Sequence, residues 1–449
     1  MMIASFVLLG AVCAPPGLPA LENAMPAHIA GPWRIAVGPG SVEVDGKRLT
    51  LDAETVLDIP PVQSVTVKGE KYDALPVFDP HAGAWRRGAT LRPLITEECS
   101  ATGLLDPASL VVKAAPDAAE AFVLGKDYQA DLFWANIGRI EGGAIAADQA
   151  VYADYTYTPC RLDSIVITAN GAVRLILGQP GMGTQLPVET SPGETAIVNV
   201  WVPGPIEALT EENLFPIELG VQAAAPQTPS QAERFLPKTL AKLRAGQPVT
   251  IVAWGDSVTN GGGVGAEKSL WYQQVFLERL KARFPKSDIT LKTAAWGGGN
   301  SNGYMSAPAG GQYDFARDVL DPKPDLVTIE FVNDAYLQGE AMAQHYAVIL
   351  KRLHGVGAEI ALITPHLVRP DWMAADALKF EPDPRPYVQG LHQFAKDHDL
   401  ALADASAEWC RLWRQGIPYI TLLANSINHP DARGHRLFAD VLMGLFPAE

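Results

Sequence analysis

Four segments in the second half of the chain carry residues that could together perform acyl transfer. Ser257 stands in Gly-Asp-Ser-Val directly after an apolar strand, where a turn into a helix would present its hydroxyl and its backbone N–H. Gly299, in Gly-Gly-Gly-Asn-Ser, follows a second strand, and Asn333 follows a third. His429 precedes Pro430 near the C-terminus. A serine hydroxyl needs an adjacent base at neutral pH, and imidazole, with a pKa of about 6.5, suits that role.

Each segment also has a plain structural explanation when it is taken alone. Ser257 could simply cap a helix, the glycines could form a flexible loop, Asn333 could be a turn residue and His429 a surface residue. Their order along the chain is the stronger signal, because each follows a successive strand or loop of one predicted domain. The combination therefore predicts a nucleophile, a base and N–H donors for a developing oxyanion.

The elements that must position these residues alternate between buried strands and helices. We predict strands at 249–254, 289–294, 326–331, 360–364 and 400–403, separated by helices near 270–284, 342–355, 386–397 and 432–446. Such alternation indicates a parallel sheet covered on both faces by helices. Ligands of these sheets bind beyond the carboxyl ends of the strands, where the four segments lie.

The first half of the chain is different, with short alternating runs broken by Gly, Pro, Asn and Asp. Asn170-Gly171 between two such runs is a strong hairpin signal, and the pattern predicts an all-β, sandwich-like accessory domain. The Ala- and Pro-rich stretch that follows is typical of a linker. We therefore divide the chain into a leader at 1–30, the β domain at 31–221, a linker at 222–234 and an α/β domain at 235–449.

The four segments of the α/β domain resemble the SGNH (GDSL-like) hydrolase superfamily. Gly-Asp-Ser-Val matches its nucleophile block, Gly299 its glycine block, Asn333 its asparagine block and His429 its histidine block. The resemblance implies a flavodoxin-like three-layer α/β/α fold and a serine esterase that uses neither cofactor nor metal. It also implies Ser257 as nucleophile and His429 as base, with an oxyanion hole formed by the N–H groups of Ser257 and Gly299 and the Asn333 side chain.

One position departs from the family pattern. The family usually has Asp three residues before the catalytic histidine, but Ser426 stands there, preceded by Asn425. Either a neutral acceptor orients His429 or a carboxylate arrives from elsewhere, with Asp404 and Asp431 as candidates. We expect a Ser–His dyad with a neutral acceptor.

His366 follows the fourth strand in Thr-Pro-His and is a candidate substrate contact at the same sheet edge. Four tryptophans of the first half could stack on sugar rings, although core packing is the better explanation: Trp33, Trp85, Trp134 and Trp201.

Charge and composition exclude several classes of protein. With 35 Lys and Arg against 50 Asp and Glu, the net charge of −15 argues against nucleic acid as a partner. No HExxH, CxxC or His/Asp cluster suggests a metal, and the glycine-rich stretch 261–266 lacks the context of a nucleotide site. The apolar first 12 residues predict an export signal, although no Lys or Arg precedes them. We expect no membrane span and a secreted or periplasmic protein.

These observations lead to one preferred function and two alternatives. We predict a carbohydrate O-acetyl esterase acting on an extracellular glycan. A lipid, lysophospholipid or general short-chain carboxylesterase is the enzymatic alternative. A non-catalytic carbohydrate-binding protein with a decayed hydrolase domain is the third possibility.

Overall fold

The computed structural model describes residues 18–220 and 228–448. The apolar segment that predicts an export signal lies outside the described residues. Within the described ranges, every helix is too short or too polar to cross a lipid bilayer.

The first domain is built from strands, nearly all of which pair antiparallel. Its described residues form six small sheets, in the orders β1-β2-β5, β3-β4, β10-β13-β6, β11-β12-β7, β8-β9 and β15-β14-β16-β17. The strands β1 to β17 are, in chain order, Ala27–Gly31, Arg34–Val37, Gly40–Val44, Lys47–Leu51, Thr55–Asp58, Val65–Tyr72, Ala89–Thr90, Ile95–Thr96, Cys99–Ser100, Val111–Lys113, Tyr128–Asp131, Asn136–Arg139, Val151–Tyr157, Arg161–Thr168, Val173–Ile176, Glu194–Val202 and Leu214–Pro216. The all-β prediction is confirmed, and the sheets are smaller and more numerous than the sequence suggests.

The second domain contains a five-stranded parallel sheet in the order β19-β18-β20-β21-β22. Its strands β18 to β22 are Val249–Gly255, Ile289–Ala295, Leu326–Glu330, Glu359–Ile363 and Ala401–Ala403. Two apolar cores, one on each face of the sheet, explain why the strands are apolar along nearly their whole length. The predicted flavodoxin-like α/β/α fold is confirmed. The chain reverses direction across the sheet at β18, which places the topological switch point at the end of that strand.

Eight α-helices and several shorter turns complete the described part of the second domain. The helices α1 to α8 are Gln231–Phe235, Pro237–Arg244, Tyr272–Arg283, Ser301–Ser306, Gly339–Gly355, Pro386–Asp397, Ala405–Arg411 and Ala432–Gly444. Short 3₁₀ turns lie at Ala84–Arg86 in the first domain and at Val332–Asp334, Pro370–Met373, Leu412–Arg414 and Tyr419–Leu422 in the second, with a π-helical turn at Ala316–Leu320.

The two domains share buried contacts. Trp413 of the second domain packs in one apolar cluster with Trp201 and Phe215 of the first. The Asn199 side chain donates to the Gly416 carbonyl at 2.8 Å, and both groups are part of this seam. These buried apolar and hydrogen-bonded contacts hold the first domain directly beside the second.

Ordered elements extend into two of the ranges that the sequence assigns to a leader and a linker. Strand β1 begins at Ala27, inside the range assigned to the leader, and Met25 is already buried in the core of the first domain. Helix α1 begins at Gln231, inside the predicted linker, where the Ser230 side chain caps it. Apolar Ala and Met residues in these short stretches pack against a core, which their local composition does not reveal.

Candidate active site

Ser257 lies in a tight turn at the end of β18, the central strand of the switch point. Only glycine fits at position 255, because a Cβ there would lie 2.4 Å from the Glu330 carbonyl and 2.0 Å from the Thr259 hydroxyl. The turn is closed by the Gly262 N–H, which donates to the Ser257 carbonyl at 2.8 Å. Close packing against the neighbouring strand therefore holds the Ser257 backbone in place at the sheet edge.

Asp256 joins this turn to the end of β20. Its fully buried carboxylate accepts the Val258 N–H at 3.1 Å and the Asn333 N–H at 2.9 Å. Burial raises the pKa of Asp256 to about 7, against the opposing effect of these two N–H bonds. Asp256 thus has the structural role of fixing Asn333 beside Ser257.

The Gly299 loop also reaches this edge, but its N–H is engaged. A turn with Gly298 at a φ of +75° directs the Gly299 N–H to the Trp296 carbonyl at 2.9 Å. The Asn333 amide donates one hydrogen to the Gly299 carbonyl at 2.9 Å, and its second hydrogen has no bonded partner among the residues that the structure describes. The structure thus brings Gly299 and Asn333 together. To donate to an oxyanion, however, the Gly299 N–H would have to break its hydrogen bond to Trp296 or share its hydrogen between the two acceptors.

His429 is fixed by its own loop. The Asn425 side-chain oxygen accepts three successive N–H groups, those of Ile427, Asn428 and His429, each at 2.9 Å. The His429 ring lies against Gly262, since a Cβ on that glycine would be 2.9 Å from the ring and also 2.9 Å from the Ser257 carbonyl. The histidine and serine segments, 172 positions apart in the chain, therefore meet at one place.

The acid beside His429 comes from the first domain, which sequence reasoning missed. His429 Nδ1 lies 2.9 Å from a Glu97 carboxylate oxygen and 3.2 Å from a Glu98 oxygen. Both residues form the turn between β8 and β9. The expectation of a neutral acceptor is thus corrected: a carboxylate contacts Nδ1. One indirect indication of such a contact was present in the sequence: position 426, where the family has its acid, is a serine.

The four side chains considered as orienting groups have other partners. The Ser426 hydroxyl lies beside Gly183 of the first domain, at 3.1 Å from where a Cβ would stand. Asn425 acts on the backbone of the loop and donates to Glu98 at 3.1 Å. Asp404 pairs with His392, and Asp431 pairs with Arg433 and caps α8.

The electrostatic surroundings favour the charged form of His429. Burial of the ring opposes the charge, but the hydrogen bonds and charges of Glu97 and Glu98 outweigh this effect and raise the pKa of His429 to about 9. His429 in turn helps to lower the pKa of Glu98 to about 2, against the effect of burial. The neutral form that could accept a proton from serine is therefore favoured by alkaline pH.

His366, a candidate substrate contact from the sequence, is buried in the second domain. It is fully buried between Trp409 and Phe438, and its Nε2–H donates to the Asn428 carbonyl at 2.7 Å. Burial lowers the pKa of His366 well below its usual value. His366 thus supports Asn428, the residue before His429, from the interior of the domain.

His435 supports the opposite side of the same place. Its ring accepts the Tyr272 N–H and donates to the Gly262 carbonyl at 2.9 Å, and burial lowers its pKa to about 4. It thereby holds the glycine against which the His429 ring packs.

Glu97, Glu98 and His429 present one ligand atom each within 4.8 Å of one another, a spacing at which a divalent cation could also bind. Glu97 and Glu98 are already held by the Gly263 N–H and the Asn425 amide, respectively. This arrangement suits sharing of a proton with the imidazole.

An aromatic shelf lies at the seam of the two domains, near the loop that precedes His429. We use this name for Trp85 and Trp372, whose ring centroids are 6.0 Å apart, one from each domain. Trp372 is 47% exposed, and Trp85 packs on buried Trp134, which shares an apolar cluster with Ile427. Of the tryptophans considered from sequence, Trp134 and Trp201 are core residues, Trp33 donates its N–H to the Glu207 carbonyl, and Trp85 is partly exposed.

Part of the second domain matches a known protein family. Residues 253–437 match the model of the GDSL-like Lipase/Acylhydrolase family. No curated protein matches the sequence.

Several solved structures are similar to the chain. A two-domain esterase (CEX) active on acetylated mannans is 22% identical, with a TM-score of 0.38, over 47% of this chain and 51% of that one. The match therefore spans about half the length of that esterase. An acetyl xylan esterase, AlAXEase, is 21% identical over 43% of this chain and 98% of that one, with a TM-score of 0.34. The lipase/acylhydrolase from Enterococcus faecalis is 19% identical over 43% and 93%, with a TM-score of 0.32.

Proposed function

Because residues 253–437 match the model of the GDSL-like Lipase/Acylhydrolase family, we propose that the protein hydrolyses carboxylic esters through an acyl-enzyme on Ser257. The observation that carries this proposal is the meeting of the His429 ring with the Ser257 turn at the switch point of the sheet. Nδ1 of His429 is hydrogen-bonded to a carboxylate, which leaves Nε2 to act on the serine hydroxyl.

In the proposed mechanism, His429 takes the Ser257 proton as the hydroxyl oxygen attacks the ester carbonyl. The negative charge then moves to the carbonyl oxygen, where the Ser257 N–H and the second Asn333 amide hydrogen would stabilise it, each such donor contributing roughly 10²–10³ in rate. The imidazolium returns its proton to the departing alcohol, which leaves an acyl-serine. Water, deprotonated by the same histidine, attacks this ester and releases the acid.

For the substrate we propose an acetyl ester on a carbohydrate. The proposal rests on the aromatic shelf, whose indole faces suit the flat apolar side of a pyranose ring. Arg86 lies over the Trp85 ring at 5.5 Å, so a charged group that could bind sugar hydroxyls stands beside the shelf. An enzyme that binds a long acyl chain would need a continuous apolar groove, whereas the aromatic shelf and Arg86 combine apolar and charged groups. Acetylated mannans are also the substrates named for the similar two-domain esterase.

Two measurements test the proposal. A serine-directed fluorophosphonate should label the wild-type protein at Ser257 and leave folded Ser257→Ala unlabelled. Acetate release from acetylated xylan and mannan oligosaccharides should exceed release of longer acyl groups from matched 4-nitrophenyl esters.

Other outcomes would support the alternatives. Faster turnover as the acyl chain lengthens would favour a lipid or lysophospholipid esterase. Absence of labelling in folded wild-type protein, together with binding of the same oligosaccharides, would favour a non-catalytic carbohydrate-binding protein.

A further inference from the structure

The turn that contacts His429 belongs to the first domain and has an unusual backbone. Strands β8 and β9 pair Thr96 with Cys99, so Glu97 and Glu98 are the two residues of the hairpin turn. Glu97 has a φ of +51°, in the left-handed region that costs L residues free energy. Such a conformation persists where the surroundings require it, and here it directs two adjacent acids towards the second domain.

The Glu97 carboxylate bridges the two segments of the candidate site. One oxygen lies 2.9 Å from His429 Nδ1, and the other accepts the Gly263 N–H at 2.9 Å. Gly263 follows the turn that contains Ser257, and a Cβ there would lie 2.1 Å from the Pro430 carbonyl. One side chain of the first domain therefore positions both the imidazole and the loop beside the serine.

Glu98 makes the weaker contact with the same ring nitrogen. Its oxygen lies 3.2 Å from His429 Nδ1, and the Asn425 amide donates to it at 3.1 Å. Its side chain is 46% exposed, against 30% for Glu97, so water screens its charge more strongly. Geometry and burial both favour Glu97 as the principal acceptor.

We propose that Glu97 replaces the missing acid of position 426, so that the first domain completes the catalytic site. The inference rests on the proposed esterase function and adds to it a positioning residue 332 positions before the histidine. Glu97 would hold the tautomer with Nδ1–H and stabilise the imidazolium that forms when serine gives up its proton. The α/β domain by itself would have nucleophile and base without their orienting carboxylate.

The groups around His429 on other elements do not compete for this role. They are Asp256 in the nucleophile turn, whose carboxylate is bound to two N–H groups, and two buried histidines whose pKa values are lowered, His366 and His435. Removing the Glu97 charge should therefore lower the pKa of His429 from about 9 towards its ordinary value.

The test compares Glu97→Gln with the adjacent Glu98→Gln in the full-length protein, using 4-nitrophenyl acetate over a pH series. We expect Glu97→Gln to lower kcat by roughly 10²–10⁴ and to shift the acidic limb of kcat/KM to lower pH. Glu98→Gln should lower kcat less than about tenfold, and Glu97→Asp should restore part of the loss. Unchanged thermal unfolding of each variant excludes a folding defect.

Two results would overturn the assignment. Wild-type kcat and an unshifted pH limb in folded Glu97→Gln would show that Glu97 does not orient the base, and a larger loss in Glu98→Gln would transfer the role to its neighbour. Failure of the esterase proposal is distinguishable, because Ser257→Ala would then retain the full activity of the wild type.

Discussion

Two histidines of the second domain, His429 and His392, each pair with a carboxylate at short range but lie in different surroundings. His429 is 2.9 Å from Glu97, and His392 is 3.1 Å from Asp404. In both pairs the carboxylate raises the pKa of the histidine against the effect of burial. An imidazole held by an acid is therefore not sufficient evidence of a catalytic base.

The serine near the second pair shows the difference. Ser406 is buried, and its hydroxyl lies 3.4 Å from the Asp404 carboxylate. Asp404 also caps α7 and accepts the Thr364 hydroxyl at 2.9 Å. Its role is therefore structural, because it joins the start of α7 to the end of β21. A cleft of about 720 Å³ opens beside His392, yet the donors that would stabilise an oxyanion lie at β18 and β20.

The strand-end turn and its N–H donors distinguish the candidate base His429 from His392. His429 lies against the Ser257 turn, where Asp256 also holds Asn333. His392 lies on α6 beside the edge strand β22, away from the switch point. Substitutions at matched positions of the two pairs should therefore have very different effects.

The largest difference is expected between the two serines. Ser257→Ala should lower kcat for 4-nitrophenyl acetate by up to roughly 10⁶-fold, because the acyl-enzyme can no longer form. Ser406→Ala should leave kcat near the wild-type value and cost at most about 1 kcal/mol of stability, since it removes one long hydrogen bond. Steady-state kinetics and thermal unfolding of both variants measure this contrast. A comparable loss of kcat in the two variants would contradict the assignment of Ser257.

The second largest difference in kcat is expected between the two histidines. His429→Ala should lower kcat by roughly 10³–10⁶-fold, because the serine loses its base, whereas His392→Ala should stay within a few-fold of wild type. Ser426→Ala serves as a control within the His429 loop and should cost far less than His429→Ala. Similar losses for Ser426→Ala and His429→Ala would mean that position 426 has the orienting role after all.

Strand ends made most of this site predictable from sequence. Parallel strands in the order β19-β18-β20 end side by side, so Ser257, Gly299 and Asn333 must lie at one edge once the alternation of strands and helices is recognised. The tight contacts of Gly255 and Gly262 then follow from close packing at that edge.

Glu97 could not be found in the same way. Strands β8 and β9 have two residues each, too short for a periodic pattern, and they pack against a loop more than 300 positions later. The burial of His366 was not predictable for a related reason, because a polar residue after a buried strand can turn inward and bond a carbonyl, as His366 does with Asn428. Contacts between domains and the direction of single side chains depend on tertiary packing, which local sequence does not encode.

The pH dependence of activity and of stability should also distinguish His429 from His392. Since the pKa of His429 is raised to about 9, kcat/KM should rise roughly tenfold per pH unit below that value, as the neutral base accumulates. The sign for stability is opposite: the ion pair stabilises the fold fully below the unfolded pKa of about 6.5 and is lost as pH rises through about 9. Rate profiles and unfolding midpoints across this window, with His392→Ala as a control that leaves the rate profile unchanged, provide the measurement. A flat kcat/KM over the roughly two pH units below about 9 would contradict a carboxylate-bound base.

The smallest effect is expected at the aromatic shelf, which lies at the domain seam near the His429 loop. Trp372→Ala should raise KM for an acetylated mannan or xylan oligosaccharide by roughly 2–10-fold, the equivalent of one aromatic contact, and leave KM for 4-nitrophenyl acetate unchanged. Trp33→Ala, in the first domain and distant in the chain from the seam, is the matched control. An equal rise in KM for both substrates would indicate a distorted site, and no change for the oligosaccharide would remove the shelf from substrate binding. A small ester can reach Ser257 without contacting the aromatic shelf. Only KM for the sugar-bearing substrate therefore measures how the first domain contributes to recognition.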